Sequence, residues 1–212
     1  MSAMLSSRTT IHCWLTPWST ASGWVWVRAT LAVALEVDPA VLLIVRDARG
    51  KPQLGGALND WHFSLSHSGG WALLVLAHAQ AVGVDLESPR PRPRLLALAQ
   101  RHFTAAETDI LHSLPEAERL QAFYALWTAK EAVLKAAGVG ISYGLARVGM
   151  AWRASGWDVN RFAGALAPAA AWQLHRLALP APLIGHIAWR GPGRLIRLMK
   201  TAADRVVARV WP

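Results

Sequence analysis

The pattern of apolar and polar positions in the first half of the chain predicts one helix followed by short strands. Between Trp24 and Glu36 the apolar residues recur at the spacing of a helix that buries one face. Short apolar runs after it predict strands, which are typically about four to eight residues long. The predicted strands are Leu42 to Val45, Trp61 to Leu65, Trp71 to Ala77 and Ala81 to Glu87, with a turn at Gly55 and Gly56.

The second half of the chain is predicted to begin with helices. Thr104 and Glu107 have the spacing of a capping box, in which each side chain accepts a hydrogen bond from a backbone N–H at the start of a helix. A longer helix is predicted from about Pro115 to Ala137, and Gly138 ends it. The later segments predict strands at Arg147 to Trp152, Trp172 to Leu179 and Ile184 to Trp189, then a basic amphipathic helix from Arg194 to Val210.

Proline and arginine alternate from Pro89 to Arg94, and this segment is the predicted boundary between two lobes. The alternation excludes both a helix and a regular strand, so the segment is expected to be extended and solvated. The 212 residues are therefore predicted to form an N-terminal lobe over residues 1–92 and a C-terminal lobe over residues 93–212.

The composition is that of a chain with a sizeable core, since 53% of its residues are hydrophobic and 17% are charged. Such a core needs neither a metal nor disulfides to fold. The single cysteine, Cys13, is predicted to be a small buried hydrophobe in a reducing compartment. No apolar run reaches the roughly 18 residues of a membrane helix, and no secretory signal is evident. We therefore expect a cytoplasmic protein that has no membrane partner.

Lysine and arginine (22) exceed aspartate and glutamate (13) by nine, and this excess predicts an acidic partner. Charge alone does not choose among nucleic acid, an anionic membrane, a phosphorylated ligand and an acidic protein. Nucleic acid is disfavoured, because the chain has no zinc-ligand spacing, RNA-recognition signature or helix-turn-helix pattern.

Two carboxylates lie in the predicted strand Ala81 to Glu87. Asp85 and Glu87 are two residues apart, so a strand presents both on one face, while Val84 and Leu86 point into the core. Two such carboxylates can hold a hard divalent cation such as Mg²⁺, which keeps waters for a phosphate. An isolated Asp-x-Glu is more often a solvated strand end, so this pattern alone leaves both interpretations open.

The long predicted helix carries a second polar group. Trp127, Glu131 and Lys135 are spaced four residues apart and therefore line one face of the helix, with Lys130 about 100° around from Glu131. By itself the pair of Glu131 and Lys135 is an ordinary helix pair worth about 0.2–0.5 kcal/mol. The helix alone therefore does not establish a site.

A third polar segment stands at the end of a predicted strand. Ser66, His67 and Ser68 are followed by Gly69 and Gly70. Hydroxyls, an imidazole and exposed backbone amides can together hold a phosphate, although a lone histidine at a strand end is usually only a polar surface residue. The segment is not a nucleophilic serine elbow, because the Gly-x-Ser-x-Gly pattern is absent.

Taken in order, these segments resemble the surfactin-type 4′-phosphopantetheinyl transferases from about Arg28 to Val148. Each segment alone is a weak signal, and their joint occurrence in family order is specific. The matching segments are Lys51-Pro52, Phe63 to Gly69, Gly83 to Glu87, Arg101 to Glu107 and Trp127 to Lys135.

The resemblance implies an α+β fold of two similar α/β lobes related by a pseudo-twofold, with coenzyme A bound in the cleft between them. It also implies a magnesium-dependent enzyme of the holo-[acyl-carrier-protein] synthase type. Such an enzyme moves phosphopantetheine from coenzyme A to a serine of an acyl or peptidyl carrier protein and releases 3′,5′-ADP. The pathway implied is fatty acid, polyketide or nonribosomal peptide biosynthesis.

The resemblance also assigns roles to individual residues. The implied magnesium ligands are Asp85, Glu87 and Glu131. Glu131 and Lys135 are the implied catalytic residues, Glu131 as acceptor of the serine proton and Lys135 as a contact to the pyrophosphate. The implied contacts to the nucleotide end of coenzyme A are Ser66 and His67 at its 3′-phosphate, with Lys51, Pro52 and Arg28 nearby.

The implied partner is an acidic carrier protein, which agrees with the excess of positive charge. The arginines of the Pro89 to Arg94 segment and the basic residues after Gly193 are candidate docking groups, and a solvated basic surface explains them equally well. A monomer is expected. The alternative is a catalytically silent relative that binds a carrier protein or coenzyme A, and intact Asp85, Glu87, Glu131 and Lys135 argue against it.

Overall fold

The computed structural model describes residues 9–200. Runs of strands and runs of helices follow one another along these residues, so the predicted α+β class is confirmed. The strands are β1 (Thr10–Pro17), β2 (Ile44–Arg46), β3 (Pro52–Leu54), β4 (Trp61–Ser68), β5 (Trp71–His78), β6 (Val82–Glu87), β7 (Val148–Arg153), β8 (Gly156–Phe162), β9 (Trp172–Arg176), β10 (Ile184–Arg190) and β11 (Leu195–Lys200). The α-helices are α1 (Gly23–Leu35), α2 (Leu95–His102), α3 (Ala105–Ser113) and α4 (Glu116–Ala137).

The described residues divide into two compact units. The first comprises the described parts of Met1–Val82 and Gly193–Pro212, and the second is Gly83–Pro192. The first unit therefore consists of two separate stretches of chain, whereas the second is continuous.

The first unit is built on a four-stranded sheet in the order β11-β1-β5-β4. Its central strand β5 is a continuous apolar run, and the residues from Ala72 to Ala77 are buried. On one face, Leu74 and Leu76 join a hydrophobic cluster with Val27 and Leu31 of α1. Cys13 is fully buried in β1, as predicted, and burial raises the pKa of its thiol.

The segment Leu195–Lys200 is a strand, so the predicted helix from Arg194 to Val210 is wrong over these residues. β11 pairs in parallel with β1, from Thr10 opposite Leu195 to Leu15 opposite Lys200. In so short a segment the apolar residues fit the period of a strand as well as that of a helix. Pairing with the open edge of β1 gives the backbone N–H and C=O groups hydrogen-bond partners, and local helix preference takes no account of that edge. The remainder of the predicted helix, including Arg205 and Arg209, lies outside the described residues.

The second unit combines a three-stranded sheet in the order β6-β10-β9 with the hairpin β7-β8 and three helices. The long helix α4 packs on β10, and its buried residues Leu126 and Val133 share a hydrophobic cluster with Ile184 and Ala188 of that strand. Gly138 ends α4 in the left-handed conformation, as its sequence position predicts.

The sequence located most of these elements within a few residues, and it missed three of the longer ones. The predicted capping box is present, because the Thr104 side chain accepts from Glu107 and the Glu107 side chain accepts from Thr104. The helix α2 and the strands β1 and β8 were not predicted. α2 has only eight residues, and β8 exposes much of its length, so neither provides a strong periodic signal.

The segment from Pro89 to Arg94 contains no helix or strand, as its alternating prolines predict. It is also anchored to the second unit. Arg92 Nε donates to the Tyr124 hydroxyl at 2.8 Å, and that hydroxyl donates to the carbonyl of Arg90 at 3.3 Å. The guanidinium of Arg92 also stacks over the Tyr124 ring.

Candidate metal and phosphate site

A glycine allows β6 to lie directly against α4. A Cβ atom added at Gly83 would lie 2.1 Å from the carbonyl oxygen of Ala132 and 2.2 Å from the backbone nitrogen of Ala136. Such distances are far below ordinary van der Waals contact, so any larger residue would force the strand and the helix apart. Gly83 therefore determines how closely the side chains of β6 approach those of α4.

The alternation of the strand then directs two carboxylates toward the helix. Asp85 and Glu87 lie on the same face of β6 as Gly83, while Val84 and Leu86 are buried on the other face. Asp85 is buried and accepts a hydrogen bond from Lys135 Nζ of α4, at 2.6 Å from Oδ1. The strand and the helix thus bring together residues that are 50 positions apart in the sequence.

The charges of Asp85, Glu87 and Lys135 also act on the ionisation of Glu131. The pKa of Glu131 is raised to about 7, first by burial and then by the negative charges of Asp85 and Glu87, while the ammonium of Lys135 partly opposes this rise. Three carboxylates and one ammonium therefore share one environment, in which negative charge is in excess. A bound cation would relieve that excess.

The donor chemistry of these three carboxylates fits Mg²⁺, which prefers hard oxygen ligands and retains several waters. Within residues 9–200, no three His, Cys, Asp or Glu side chains are grouped closely enough to hold a metal ion as they stand. The ammonium of Lys135 lies beside Asp85 Oδ1, where it supplies positive charge to that carboxylate. The assignment of magnesium to Asp85, Glu87 and Glu131 stays a prediction.

The predicted phosphate contacts in the first unit lie at the end of β4. Ser66 is buried, whereas His67 is exposed and stacks on the indole of Trp18, with ring centroids 4.9 Å apart and planes at 10°. The strand ends in a turn at Gly69 and Gly70, whose φ angles of 57° and 78° favour glycine.

The remaining predicted nucleotide contacts belong to the helix and hairpin of the first unit. Arg28 of α1 donates from Nη1 to the carbonyls of Pro39 and Leu42, so its guanidinium braces the loop that follows the helix. Lys51 is half-buried beside the hairpin β2-β3, and Pro52 begins β3. Their roles in binding coenzyme A stay predictions.

Lys130 is adjacent in sequence to Glu131 but has a structural role. Its ammonium is fully buried, and it forms an ion pair with Glu107 at 2.7 Å and donates to the carbonyls of Leu145 and Val148. The same Glu107 oxygen accepts from the backbone N–H of Met150 at 2.7 Å. This pair, which no local sequence pattern predicts, connects α4 to α3 and β7.

A buried histidine connects α4 to the sheet. Thr128 Oγ1 and His186 Nδ1 of β10 are 2.8 Å apart, and both side chains are buried. Burial, together with the charge of Arg176, lowers the pKa of His186 to about 3. The imidazole is therefore neutral at physiological pH, and the contact fixes the helix on which Glu131 and Lys135 lie.

No helix within the described part of the chain combines the length and the apolar composition that a membrane-spanning segment requires.

Comparison with known proteins bears on the same stretch of chain. Residues 81–178 match the family model of the 4′-phosphopantetheinyl transferase superfamily. This range contains β6, which carries Asp85 and Glu87, and all of α4, which carries Glu131 and Lys135.

Curated relatives give the same result. The chain is 40% identical over 118 residues to the 4′-phosphopantetheinyl transferase HetI of a Nostoc species, covering 55% of this chain and 50% of HetI. It is 36% identical over 138 residues to a phosphopantetheinyl transferase of a Thraustochytrium species, covering 59% and 48% of the two chains. Against the 4′-phosphopantetheinyl transferase Sfp of Bacillus subtilis the identity is 32% over 123 residues, covering 58% and 53%. The chain spans about half the length of the curated relatives it matches.

Proposed function

We propose that this chain, which matches the family model of the 4′-phosphopantetheinyl transferase superfamily over residues 81–178, transfers phosphopantetheine from coenzyme A to a carrier protein. The acceptor is a serine of an acyl or peptidyl carrier protein, and the second product is 3′,5′-ADP. The pseudo-twofold relation of two similar lobes stays a prediction from the same resemblance.

The observation that carries the proposal is the convergence of β6 and α4 at Gly83. Because a glycine lets the two backbones touch, Asp85 and Glu87 face the helix that carries Glu131 and Lys135. The ion pair between Lys135 and Asp85 and the effect of both strand carboxylates on Glu131 support one shared site. An acidic site with one lysine suits a pyrophosphate that is bound with a divalent cation.

In the proposed reaction the serine hydroxyl oxygen attacks the β-phosphorus of coenzyme A. A new P–O bond forms to the serine, and the P–O bond to 3′,5′-ADP breaks. The serine proton must be accepted, and the departing ADP gains negative charge. Glu131 is the proposed proton acceptor, and the ammonium of Lys135 stabilises the charge on the pyrophosphate.

Asp85, Glu87 and Glu131 would hold a magnesium ion, which when bound neutralises pyrophosphate charge and aligns the reacting groups. The ammonium of Lys135 binds Asp85, and in the proposed reaction this lysine binds a phosphate oxygen instead. Asp85 is thereby left to the cation. Burial of Asp85 strengthens both interactions, because water screens them less.

The proposed contacts to the nucleotide end of coenzyme A are Ser66 and His67 at the 3′-phosphate. The turn that follows β4 supports this assignment, since Gly69 and Gly70 are exposed there, and backbone amides, a hydroxyl and an imidazole at a strand end suit an anion. The roles of Lys51, Pro52 and Arg28 rest on the resemblance alone.

The proposed partner is an acidic carrier protein, because the chain carries nine more positive than negative side chains. We propose that the enzyme works as a monomer in the cytoplasm, in fatty acid, polyketide or nonribosomal peptide biosynthesis. We also propose that the enzyme is of the holo-[acyl-carrier-protein] synthase type.

Mass spectrometry of an apo carrier protein tests the function. The carrier is incubated with the protein, coenzyme A and Mg²⁺, and the expected result is the gain of one phosphopantetheine on its serine. Glu131→Gln keeps the size of the side chain but removes its charge, and it is expected to lower the rate by at least about a hundredfold, as expected of a lost general base. A chelator is expected to stop the reaction.

Glu118→Gln is the matched control, since Glu118 lies in the exposed first turn of the same helix. It is expected to keep the wild-type rate. If several types of carrier protein gain no mass while coenzyme A still binds, the chain is a catalytically silent relative. Equal rates for Glu131→Gln and Glu118→Gln would refute the role of Glu131.

A further inference from the structure

Trp18 contacts the predicted phosphate ligand His67 face to face. The two rings lie nearly parallel, at 10°, with centroids 4.9 Å apart. This offset stacking is a favoured arrangement of aromatic rings. His67 is exposed near the end of β4, so its side chain would otherwise have considerable rotational freedom. The indole covers one face of the imidazole and thereby fixes the plane of the ring.

Two contacts in turn hold Trp18 in position. Its backbone N–H donates to the carbonyl of Gly70 at 2.8 Å, next to the turn that ends β4. The tip of the indole lies on Gly23 at the start of α1, where an added Cβ would be 2.1 Å from Cη2. The absence of a side chain at Gly23 thus provides the space for the indole. The helix start and the strand turn together hold the ring that orients His67.

We propose that Trp18 is a positioning residue, which holds the His67 imidazole in the orientation that contacts the 3′-phosphate of coenzyme A. The inference rests on the proposed function. A side chain that is already ordered loses less freedom when the ligand binds, so the affinity for the ligand is higher. Trp18 acts through His67 on the binding of the 3′-phosphate and has no part in the transfer step.

A comparison of two donors tests the inference. Coenzyme A carries the 3′-phosphate, and 3′-dephospho-coenzyme A lacks it. For Trp18→Leu we expect the KM for coenzyme A to rise roughly three- to tenfold, the range for the ordering of one side chain. We expect unchanged kcat and an unchanged KM for the dephosphorylated donor. Trp18→Phe retains an aromatic face and is expected to restore most of the affinity.

Gly23→Ala tests the same contact from the other side. The added methyl group displaces the tip of the indole, and alanine favours the helix more than glycine does, so a rise in KM cannot be attributed to a weakened helix. Trp24→Leu is the matched control, because this partly exposed tryptophan faces the guanidinium of Arg46. It is expected to keep the wild-type KM for both donors.

The inference is overturned if Trp18→Leu raises the KM for both donors equally or for neither. If circular dichroism shows that Trp18→Leu is unfolded, the result for Gly23→Ala decides. Calorimetric titration with 3′,5′-ADP separates this inference from the proposed function. A wild-type protein that binds 3′,5′-ADP but transfers nothing refutes the transfer alone, and weaker binding by Trp18→Leu still supports the inference. No binding by the wild-type protein overturns both.

Discussion

Gly83→Ala is the substitution that most directly tests how the site is built. It adds one methyl group at the point where β6 touches α4, and that group would lie 2.1 Å from the Ala132 carbonyl oxygen and 2.2 Å from the Ala136 nitrogen. Both neighbours are backbone atoms of buried residues in the last two turns of α4, so they cannot rotate away as a side chain can. The strand or the helix must therefore move, by about 1 Å if ordinary contact distances are to be restored.

The expected cost follows from that movement. Overpacking a core typically costs about 1–3 kcal/mol, and we expect the upper part of this range because only backbone can yield. At about 2–4 °C per kcal/mol, the melting temperature should fall by roughly 4–12 °C. The same movement takes Asp85 away from Lys135 and Glu131, and a displacement of about 1 Å can reduce catalysis roughly a hundredfold.

The assay is urea unfolding together with phosphopantetheine transfer, measured on the same preparations. Gly193→Ala serves as the control, because a Cβ at Gly193 would meet no atom within 4 Å. This substitution is expected to leave both stability and rate nearly unchanged. If Gly83→Ala retains wild-type stability and rate, the close approach of strand and helix does not determine the geometry of the site.

Two further predictions concern buried polar groups. Lys130→Met leaves the buried Glu107 carboxylate without its cation and is expected to cost about 3–5 kcal/mol in urea unfolding; a cost below about 1 kcal/mol would show that the pair does not hold the helices together. Burial lowers the pKa of His186 to about 3 and that of His12 to about 4, from 6.5, so below pH 6.5 the unfolded chain binds protons that the folded chain excludes. Stability is therefore expected to fall with pH from 6.5 toward 4, by up to about 1.4 kcal/mol per pH unit for each histidine. His186→Gln should reduce this slope, and an unchanged slope would show that burial does not lower the pKa of His186.

The sequence could predict which site residues share a face of a strand or a helix, because that depends only on the period of the element. The strand period puts Asp85 and Glu87 on one face, and the helix period aligns Glu131 with Lys135. Their order along the chain, matched to a known family, then indicated the chemistry. No local period shows that Gly83 allows the strand to touch the helix, and this contact is what brings the carboxylates and the lysine together.

The features that escaped prediction depend on partners far away in the sequence. Lys130 is charged, yet it is buried because Glu107 and two carbonyls on other elements neutralise and bind it. Trp18 precedes the helix α1, and nothing in the nearby sequence indicates that His67 is its neighbour. The strand β11 takes its conformation from β1, which lies more than 180 residues earlier in the chain.

The pairing of β11 with β1 has a consequence for the order of folding. The second unit, Gly83–Pro192, is continuous, so all of its residues have been synthesised before β11 is made. The four-stranded sheet of the first unit is completed only when Leu195–Lys200 becomes available to β1. During synthesis β1 therefore has one unpaired edge for as long as it takes to make the whole second unit. An open strand edge can pair with a strand of another chain. The first unit is therefore the part of this protein whose folding depends most on isolation from other chains.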